Sequence, residues 1–203
     1  TSRRQRQMCI RDSIKRDKYL NDLINRMHNG MIKVVTGIRR CGKSYLLFNI
    51  FKNYLLEQGV PASHIIMIEL DQRKNKKYRD PDVILDYIES LIEEDGQYYI
   101  MLDEVQMLQE FEEVLNSLLH IRNADVYVTG SNSKFLSKDV ITEFRGRGDE
   151  IHIYPLTFKE FMEAYDGDMY HGWAEYVVYG GLPLTVTTVS YTHLRAHETA
   201  ANL

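Results

Sequence analysis

One eight-residue loop constrains the fold of this chain more than any other feature of its sequence. Residues 37–44 match G-x-x-x-x-G-K-[ST] at every fixed position. They are Gly37, Ile38, Arg39, Arg40, Cys41, Gly42, Lys43 and Ser44. Glycines let successive backbone N–H groups turn toward one point, and a helix that follows adds the positive end of its dipole. The motif therefore predicts a nucleoside triphosphate site, with a chance match in a glycine turn as the alternative.

The residues around the loop predict the strand and the helix that it requires. The β-branched run 31–36 is a predicted strand, and the amphipathic stretch 44–57 is a predicted helix. Lys43 is then expected to reach the β/γ-phosphates and Ser44 to bind Mg²⁺, with Tyr45 as the next residue of the site. Arg39 and Arg40 occupy variable loop positions, where phosphate contact and solvent exposure remain alternatives.

Strands and helices are predicted to alternate along the rest of the chain. The apolar patterns predict further strands at 65–68, 98–102, 126–129 and 151–154, and helices at 17–29, from 81 to about 92 and at 111–119. Continuous apolar strands separated by helices indicate a parallel sheet covered on both faces. The predicted fold class is α/β, a three-layer αβα sandwich with a mostly parallel five-stranded sheet.

Two acidic residues directly follow the predicted strand at 98–102. They are Asp103 and Glu104, at the sheet edge where ligands of open α/β folds bind. We expect Asp103 to hold Mg²⁺, directly or through water, and Glu104 to orient and deprotonate an attacking water. An acidic turn after a buried strand is the alternative, but the upstream loop motif favours the catalytic interpretation.

Both ends of the sequence are expected to lie outside the folded protein. Residues 189–193 and 8–12 can be encoded by opposite strands of one DNA sequence, and both resemble translated sequencing adapters. We therefore interpret 1–13 and 189–203 as artefacts, which removes any functional claim for Cys9, His193 and His197. A basic N-terminal arm that contacts nucleic acid is the alternative.

Charge and cysteine usage narrow the class of protein. The formal net charge is −4, and it is more negative without the arginine-rich ends, which argues against wrapping nucleic acid. The basic run 73–79 is interpreted as a solvated loop, with contact to a nucleic-acid backbone as the alternative. Cys41 is the one cysteine outside the ends, as is typical of a reducing cytoplasm. No apolar run is long enough to cross a membrane.

Several short motifs, taken in order, resemble one protein family. They are Leu-Asp-Glu-Val-Gln at 102–106, Thr-Gly-Ser-Asn-Ser at 129–133, Gly-Arg at 146–147, Pro-Leu-Thr-Phe-Lys-Glu-Phe at 155–161 and Tyr-Gly-Gly-Leu-Pro at 179–183. With the loop, they resemble the prokaryotic AAA+ ATPases called AAA_14, which usually carry a C-terminal DUF4143 domain. The resemblance implies a P-loop NTPase core of the AAA+ type at 14–165. It also implies the start of a truncated helical C-terminal region at 166–188.

The resemblance implies a sensor next to the γ-phosphate. In such a fold the fourth strand lies between the strands that carry Lys43 and Asp103. Ser131 or Asn132, just after that fourth strand, then becomes the sensor that hydrogen-bonds the attacking water or the phosphate. A Thr-Gly-Ser turn that satisfies its own backbone is the alternative.

The resemblance also implies assembly. Arg147, or else Arg145, is similar to the arginine finger that such ATPases insert into the site of a neighbouring subunit, so a homo-oligomer is expected. The alternative is a local ion pair with Asp149 or Glu150.

Three classes of function remain open at this point. The leading interpretation is Mg²⁺-dependent ATP hydrolysis. A small-molecule kinase would share the loop, and a binding switch would use ATP to reorganise the missing C-terminal region for a DNA or protein partner. ATP is favoured over GTP because the sequence contains no Asn-Lys-x-Asp motif.

Overall fold

Parallel strands alternate with helices in the computed structural model, which describes residues 14–93, 95–130 and 146–184. The strands are β1 (Ile32–Thr36), β2 (Ile65–Glu69), β3 (Tyr98–Asp103), β4 (Ala124–Thr129) and β5 (Gly148–His152). The helices are α1 (Asp17–Ile24), α2 (residues 43–57), α3 (Pro81–Leu91), α4 (Phe111–Leu118), α5 (Phe158–Ala164) and α6 (Met169–Tyr179). The predictions for Ser131, Asn132, Arg145 and the two chain ends lie outside the described residues.

The five strands form one parallel sheet in the order β2-β3-β4-β1-β5. Every residue of β1 and of β3 is buried, because helices cover both faces of the sheet. The predicted α/β fold is therefore confirmed, as is the predicted place of β4 between β1 and β3. The carboxyl ends of these three neighbouring strands meet at one edge of the sheet, and that edge carries the candidate site.

The chain divides into two compact units. The larger comprises residues 17–37 and 43–153. Its core packs apolar side chains of β1 to β4 against α3 and α4. The smaller comprises, among the described residues, 14–16, 38–42 and 154–184. The domain boundary expected at 165 stays a prediction.

Two predicted boundaries are wrong. The first helix ends at Ile24 instead of near residue 29. The N–H of His28 donates to Asp125 Oδ2 (3.0 Å) and its φ is +57°, so the chain is not helical at the predicted end. The fifth strand lies at Gly148–His152 instead of 151–154. Its acidic residues have side-chain partners, which an apolar pattern cannot indicate: Arg26 Nε contacts Asp149 Oδ1 at 2.9 Å.

Helix α2 departs from the predicted regular α-helix. Its first turn, Lys43–Tyr45, and its last part, Lys52–Glu57, are α-helical, but Leu46–Phe51 is a π-helix. The wider turn buries Leu46, Leu47 and Phe51 together. Phe51 packs on the Tyr127 ring at a centroid distance of 4.7 Å. Hydrophobic spacing over one turn does not distinguish the two kinds of helix, and π-turns often lie near functional sites.

The basic run Arg73–Arg79, which we interpreted as a solvated loop, forms a 3₁₀ helix. Arg79 fixes its end by donating to the carbonyl oxygens of Leu70 (2.8 Å) and Asp71 (3.2 Å). Tyr78 packs on Tyr87 with ring centroids 4.5 Å apart. The other cations of this helix are exposed, as predicted: Arg73, Lys74, Lys76 and Lys77.

The smaller unit is held together by aromatic side chains. Thr157 and Glu160 form a reciprocal capping box at the start of α5. Phe158 meets Trp173 edge-on at 5.0 Å, and Phe161 meets Tyr176 at 5.4 Å. Trp173 makes this contact although 54% of its surface is exposed, and Val177 of the same helix is 63% exposed.

Gly181→Ala is expected to destabilise the smaller unit by about 1–3 kcal/mol, because an added Cβ would overpack it. That Cβ would lie 2.1 Å from the backbone oxygen of Leu156, which cannot rotate away. Trp173 is the one tryptophan of the chain and lies in this unit. Urea unfolding followed by its fluorescence measures the loss. Gly172→Ala is the control, because its Cβ would meet mainly the flexible Met162 side chain; equal stability of both variants would contradict the prediction.

Candidate active site

Three residues of the loop after β1 have positive φ angles. Gly37, Arg40 and Gly42 have φ angles of +140°, +69° and +102°. A Cβ on Gly42 would be 3.9 Å from the nearest atom, Pro183 Cγ, so the backbone angle and not space requires glycine there. Arg40 adopts a left-handed conformation without being glycine, which the motif does not predict. Its side chain and that of Arg39 are exposed.

Lys43 is buried at the start of α2, with 4% of its surface exposed. Its Nζ donates to the carbonyl oxygen of Gly37 at 3.0 Å. The ammonium group is therefore folded back toward Gly37, which directly follows β1. A buried ammonium group at this place is suited to bind the oxygens of a phosphate chain.

The two sequence motifs meet through a direct hydrogen bond. Ser44 Oγ donates to Asp103 Oδ1 at 2.8 Å, although the residues are 59 positions apart. Asp103 ends β3 and is 5% exposed. The structure thus brings together Ser44 of the loop motif and Asp103 of the acidic pair.

Thr129 joins the two acidic residues and was not predicted to do so. Its Oγ1 donates to Asp103 Oδ1 at 2.5 Å and accepts from the backbone N–H of Glu104 at 2.9 Å. Thr129 is fully buried at the end of β4. The sequence signal was its position at the end of a strand, two residues before the predicted sensor, but its hydroxyl partners cannot be inferred from spacing.

Glu104 has a left-handed backbone, with φ +53° and ψ +50°. This conformation costs a non-glycine residue about 1–3 kcal/mol and is typical of functional sites. The Gln106 side-chain amide donates to Glu104 Oε2. Among the residues that the structure describes, Gln106 Oε1 is buried and has no hydrogen-bond partner. Gln106 is thus a second residue at the site to which the sequence analysis gave no role.

Burial raises the pKa of the Asp103 carboxyl. Hydrogen bonds from Thr129 and Ser44 oppose this change, while the negative charges of Glu104 and Asp71 add to it. Burial likewise raises the pKa of Glu69, at the end of the neighbouring strand β2, against the opposing charge of Lys74. The sheet edge therefore holds carboxyl groups whose charged form is disfavoured by burial, and a cation there would lower the cost of the buried carboxylate.

The donor set at Asp103 fits Mg²⁺. A hydroxyl and a carboxylate are the hard oxygen ligands that this ion prefers. Asp103 Oδ1 accepts from both Ser44 and Thr129, whereas Oδ2 has no hydrogen-bond partner within the described residues. Asp103 also forms no ion pair with a side chain in the part of the chain that the structure describes. A carboxylate that is buried without a cationic partner is what a divalent ion would compensate.

Arg147 is exposed and donates to Asn116 Oδ1 at 3.2 Å. Asp149 instead contacts Arg26, and Glu150 accepts from Thr36 Oγ1 at 2.5 Å. Within the described part of the chain, Arg147 therefore forms no ion pair with Asp149 or Glu150. Its action on a neighbouring subunit stays a prediction.

Sequence comparison identifies the family. A family model described as an AAA domain, AAA_14, matches residues 29–162. An uncharacterized protein of Haemophilus influenzae is 34% identical over 179 residues, which are 85% of this chain and 44% of that protein. The chain belongs to the AAA_14 family of AAA domains. An uncharacterized protein of Methanocaldococcus jannaschii is 29% identical over 73% of the chain. The chain spans 44% and 32% of the lengths of these two relatives.

Solved structures share the AAA+ fold at low sequence identity. Yeast Hsp104, in a complex with casein, is similar with a TM-score of 0.61 and 15% identity. The match covers 88% of this chain and 37% of the Hsp104 chain. A DNA polymerase III gamma subunit-related protein from Thermotoga maritima matches 75% of the chain and 52% of its own with a TM-score of 0.53 and 12% identity. Aeropyrum pernix Orc1, in a complex with DNA, is similar with a TM-score of 0.52 and 13% identity. The match covers 73% of this chain and 47% of the Orc1 chain. Across the described ranges, no helix is long and apolar enough to cross a membrane.

Proposed function

We propose that this AAA domain binds ATP together with Mg²⁺ and hydrolyses it. The observation that carries the proposal is the hydrogen bond between Ser44 and Asp103, because it brings the phosphate loop and the acidic strand end to one point. Membership of the AAA family of P-loop ATPases supports nucleotide binding. The left-handed Glu104 beside that point supports chemistry beyond binding.

Each residue has a defined task in this proposal. The backbone N–H groups of the loop and the Lys43 ammonium group bind the phosphates. Ser44 and Asp103 hold Mg²⁺, which supplies positive charge to the phosphate oxygens when it is bound. Glu104 orients the attacking water and takes its proton. Ser131 or Asn132 would sense the terminal phosphate, and Arg147 would act on the site of a neighbouring subunit.

A link to a partner is part of the same proposal. The relatives are more than twice as long as the matched region, so ATP turnover would drive or switch a further region that contacts DNA or protein. An ATP-dependent binding switch with little turnover remains the second candidate, and a small-molecule kinase the third. Phosphate release without an added acceptor would count against the kinase.

Lys43→Ala tests nucleotide binding. The variant is expected to lose measurable affinity for ATP, by at least about 100-fold, because charge-assisted hydrogen bonds contribute about 1.5–3 kcal/mol each. Titration calorimetry with ATP and Mg²⁺ measures the loss. Lys52→Ala is the matched control, since Lys52 lies in the same helix α2 at a partly exposed position. Parental affinity in Lys43→Ala would refute the assignment of the loop.

A further inference from the structure

The structure assigns to Thr129 the role of a positioning residue: its hydroxyl orients the carboxylate of Asp103 and the backbone of Glu104. This inference rests on the proposed ATP hydrolysis, and it adds a residue that the loop and the acidic pair do not contain. Thr129 does not need to touch ATP. It acts through the two acidic residues with which its hydroxyl is hydrogen-bonded.

The direction of each hydrogen bond is fixed by the chemistry of the groups. A hydroxyl has one proton to donate and can accept others. The N–H of Glu104 can only donate, so the Thr129 proton goes to Asp103 Oδ1. Oδ1 is thereby occupied by Thr129 and Ser44, and Oδ2 is the oxygen that is left for another ligand. The hydroxyl thus selects which carboxylate oxygen is available.

The same hydroxyl stabilises the backbone that aims Glu104. Its acceptor oxygen satisfies the N–H of a residue with φ +53°, a conformation that persists only where its surroundings hold it. Without that acceptor, the Glu104 amide would lose its hydrogen bond to Thr129, which is fully buried. Asp103 and Glu104 are adjacent in sequence, so one hydroxyl can fix the side chain of the first and the backbone of the second.

Thr129 is itself held on both sides. Its strand β4 pairs with β1 through Val35 and Thr129, and the N–H of Gly130 donates to the Val35 oxygen at 3.3 Å. On the other side β4 pairs with β3 up to Leu102 and Val128. Because β1 leads into the phosphate loop and β3 into the acidic pair, Thr129 lies on the strand between the two motifs. The backbone of Thr129 is thus held by strands on both sides.

Thr129→Val tests the inference, because it removes the hydroxyl at nearly constant volume. We expect kcat to fall by at least about tenfold and the Mg²⁺ concentration for half-maximal ATP binding to rise by about threefold or more. Affinity for ATP without Mg²⁺ should stay within about twofold, since Lys43 and the loop are unchanged. Thr129→Ser keeps the hydroxyl and should recover most of both parameters.

Thr36→Val is the matched control. Thr36 is a fully buried threonine at the end of the adjacent strand β1, and its hydroxyl also donates to a carboxylate, that of Glu150. Its loss should lower thermal stability without raising the Mg²⁺ requirement. If Thr129→Val does not fold, as judged by circular dichroism, Thr129→Cys replaces it, because a thiol is only a weak donor and acceptor.

The outcomes separate this inference from the proposed function. Parental kcat and Mg²⁺ dependence in folded Thr129→Val would overturn the role of Thr129 while ATP hydrolysis stands. A parent that binds Mg²⁺-ATP without turnover would overturn the hydrolysis, and the Mg²⁺ dependence of binding would then test Thr129 alone. If the ATP affinity of the parent protein does not depend on Mg²⁺, both the proposed function and the role of Thr129 would be overturned.

Discussion

Glu104→Gln is expected to bind ATP as tightly as the parent and to hydrolyse it at least about 100-fold more slowly, because general acid–base catalysis contributes about 10²–10⁴-fold. The amide keeps the size and much of the hydrogen bonding of the carboxylate but cannot take a proton from water. Gln106 already donates to Glu104 Oε2, and the oxygen of the introduced amide can accept the same bond. Phosphate release under saturating Mg²⁺-ATP measures turnover, and calorimetry measures affinity.

Glu110→Gln is the control for this variant. Glu110 is also a glutamate with a left-handed backbone, with φ +48°, directly before a helix. It is exposed and precedes α4, whereas Glu104 is partly buried at the end of β3. The substitution therefore removes the same charge in a similar backbone conformation away from the sheet edge, and turnover should be unchanged. Hydrolysis at the parental rate in Glu104→Gln would refute its role as the base.

The same variant separates hydrolysis from the binding switch. If partner affinity differs between ATP and ADP, an ATP-loaded Glu104→Gln protein should remain in the ATP-dependent state, because it binds the nucleotide without consuming it. Equal partner affinities with ATP and ADP would eliminate the switch. A kinase would instead show the defect of Glu104→Gln only when an acceptor is present.

The order of strands and helices was predictable because it depends on local patterns. Buried parallel strands are continuous apolar runs, and four of the five predicted strands overlap the observed ones within about two residues at each end. The shifted position of β5 shows where prediction from local apolar patterns fails. Its Asp149 and Glu150 are polar residues that bind Arg26 and Thr36, and such distant partners leave no local pattern.

Only those residues of the candidate site that lie in short sequence motifs could be predicted. Glycine spacing and an acidic pair after a strand are local signals, so Lys43, Ser44, Asp103 and Glu104 were identified. The positive φ of Arg40 could not be predicted, since the motif leaves that position variable. Thr129 and Gln106 were not assigned, because their importance lies in hydrogen bonds made across the sheet or over one turn. Spacing alone does not specify such bonds.

The largest effect on stability is expected from an ion pair at the opposite end of the strands. Lys33 of β1 is fully buried, and its Nζ is paired with Asp125 Oδ1 of β4, 92 positions away. Asp125 Oδ2 also accepts from Tyr127 OH at 2.7 Å and from the N–H of His28 at 3.0 Å. One carboxylate thus compensates a buried cation and satisfies two further donors. In the sequence, Lys33 stands within the β-branched run 31–36, and nothing nearby indicates its pairing with Asp125.

Asp125→Asn is expected to lower the free energy of unfolding by about 3–5 kcal/mol, because it leaves Lys33 buried without a counter-charge. Urea unfolding followed by far-ultraviolet circular dichroism measures this loss. Asp149→Asn is the control, since its pair with Arg26 is partly exposed and should contribute at most about 1 kcal/mol. Adding Lys33→Met to Asp125→Asn removes the uncompensated charge and should restore part of the stability.

The effect of pH identifies the cause of that loss. Burial lowers the pKa of Lys33, and the Asp125 carboxylate opposes this shift, so Asp125→Asn should lower the pKa further. Between the folded pKa and the unfolded value, the unfolded state binds more protons, and stability therefore rises with pH. The deficit of Asp125→Asn should be smaller at about pH 9 than at about pH 7. A deficit that does not change with pH would attribute the loss to packing or to the hydrogen bonds of Tyr127 and His28, and not to the buried charge of Lys33.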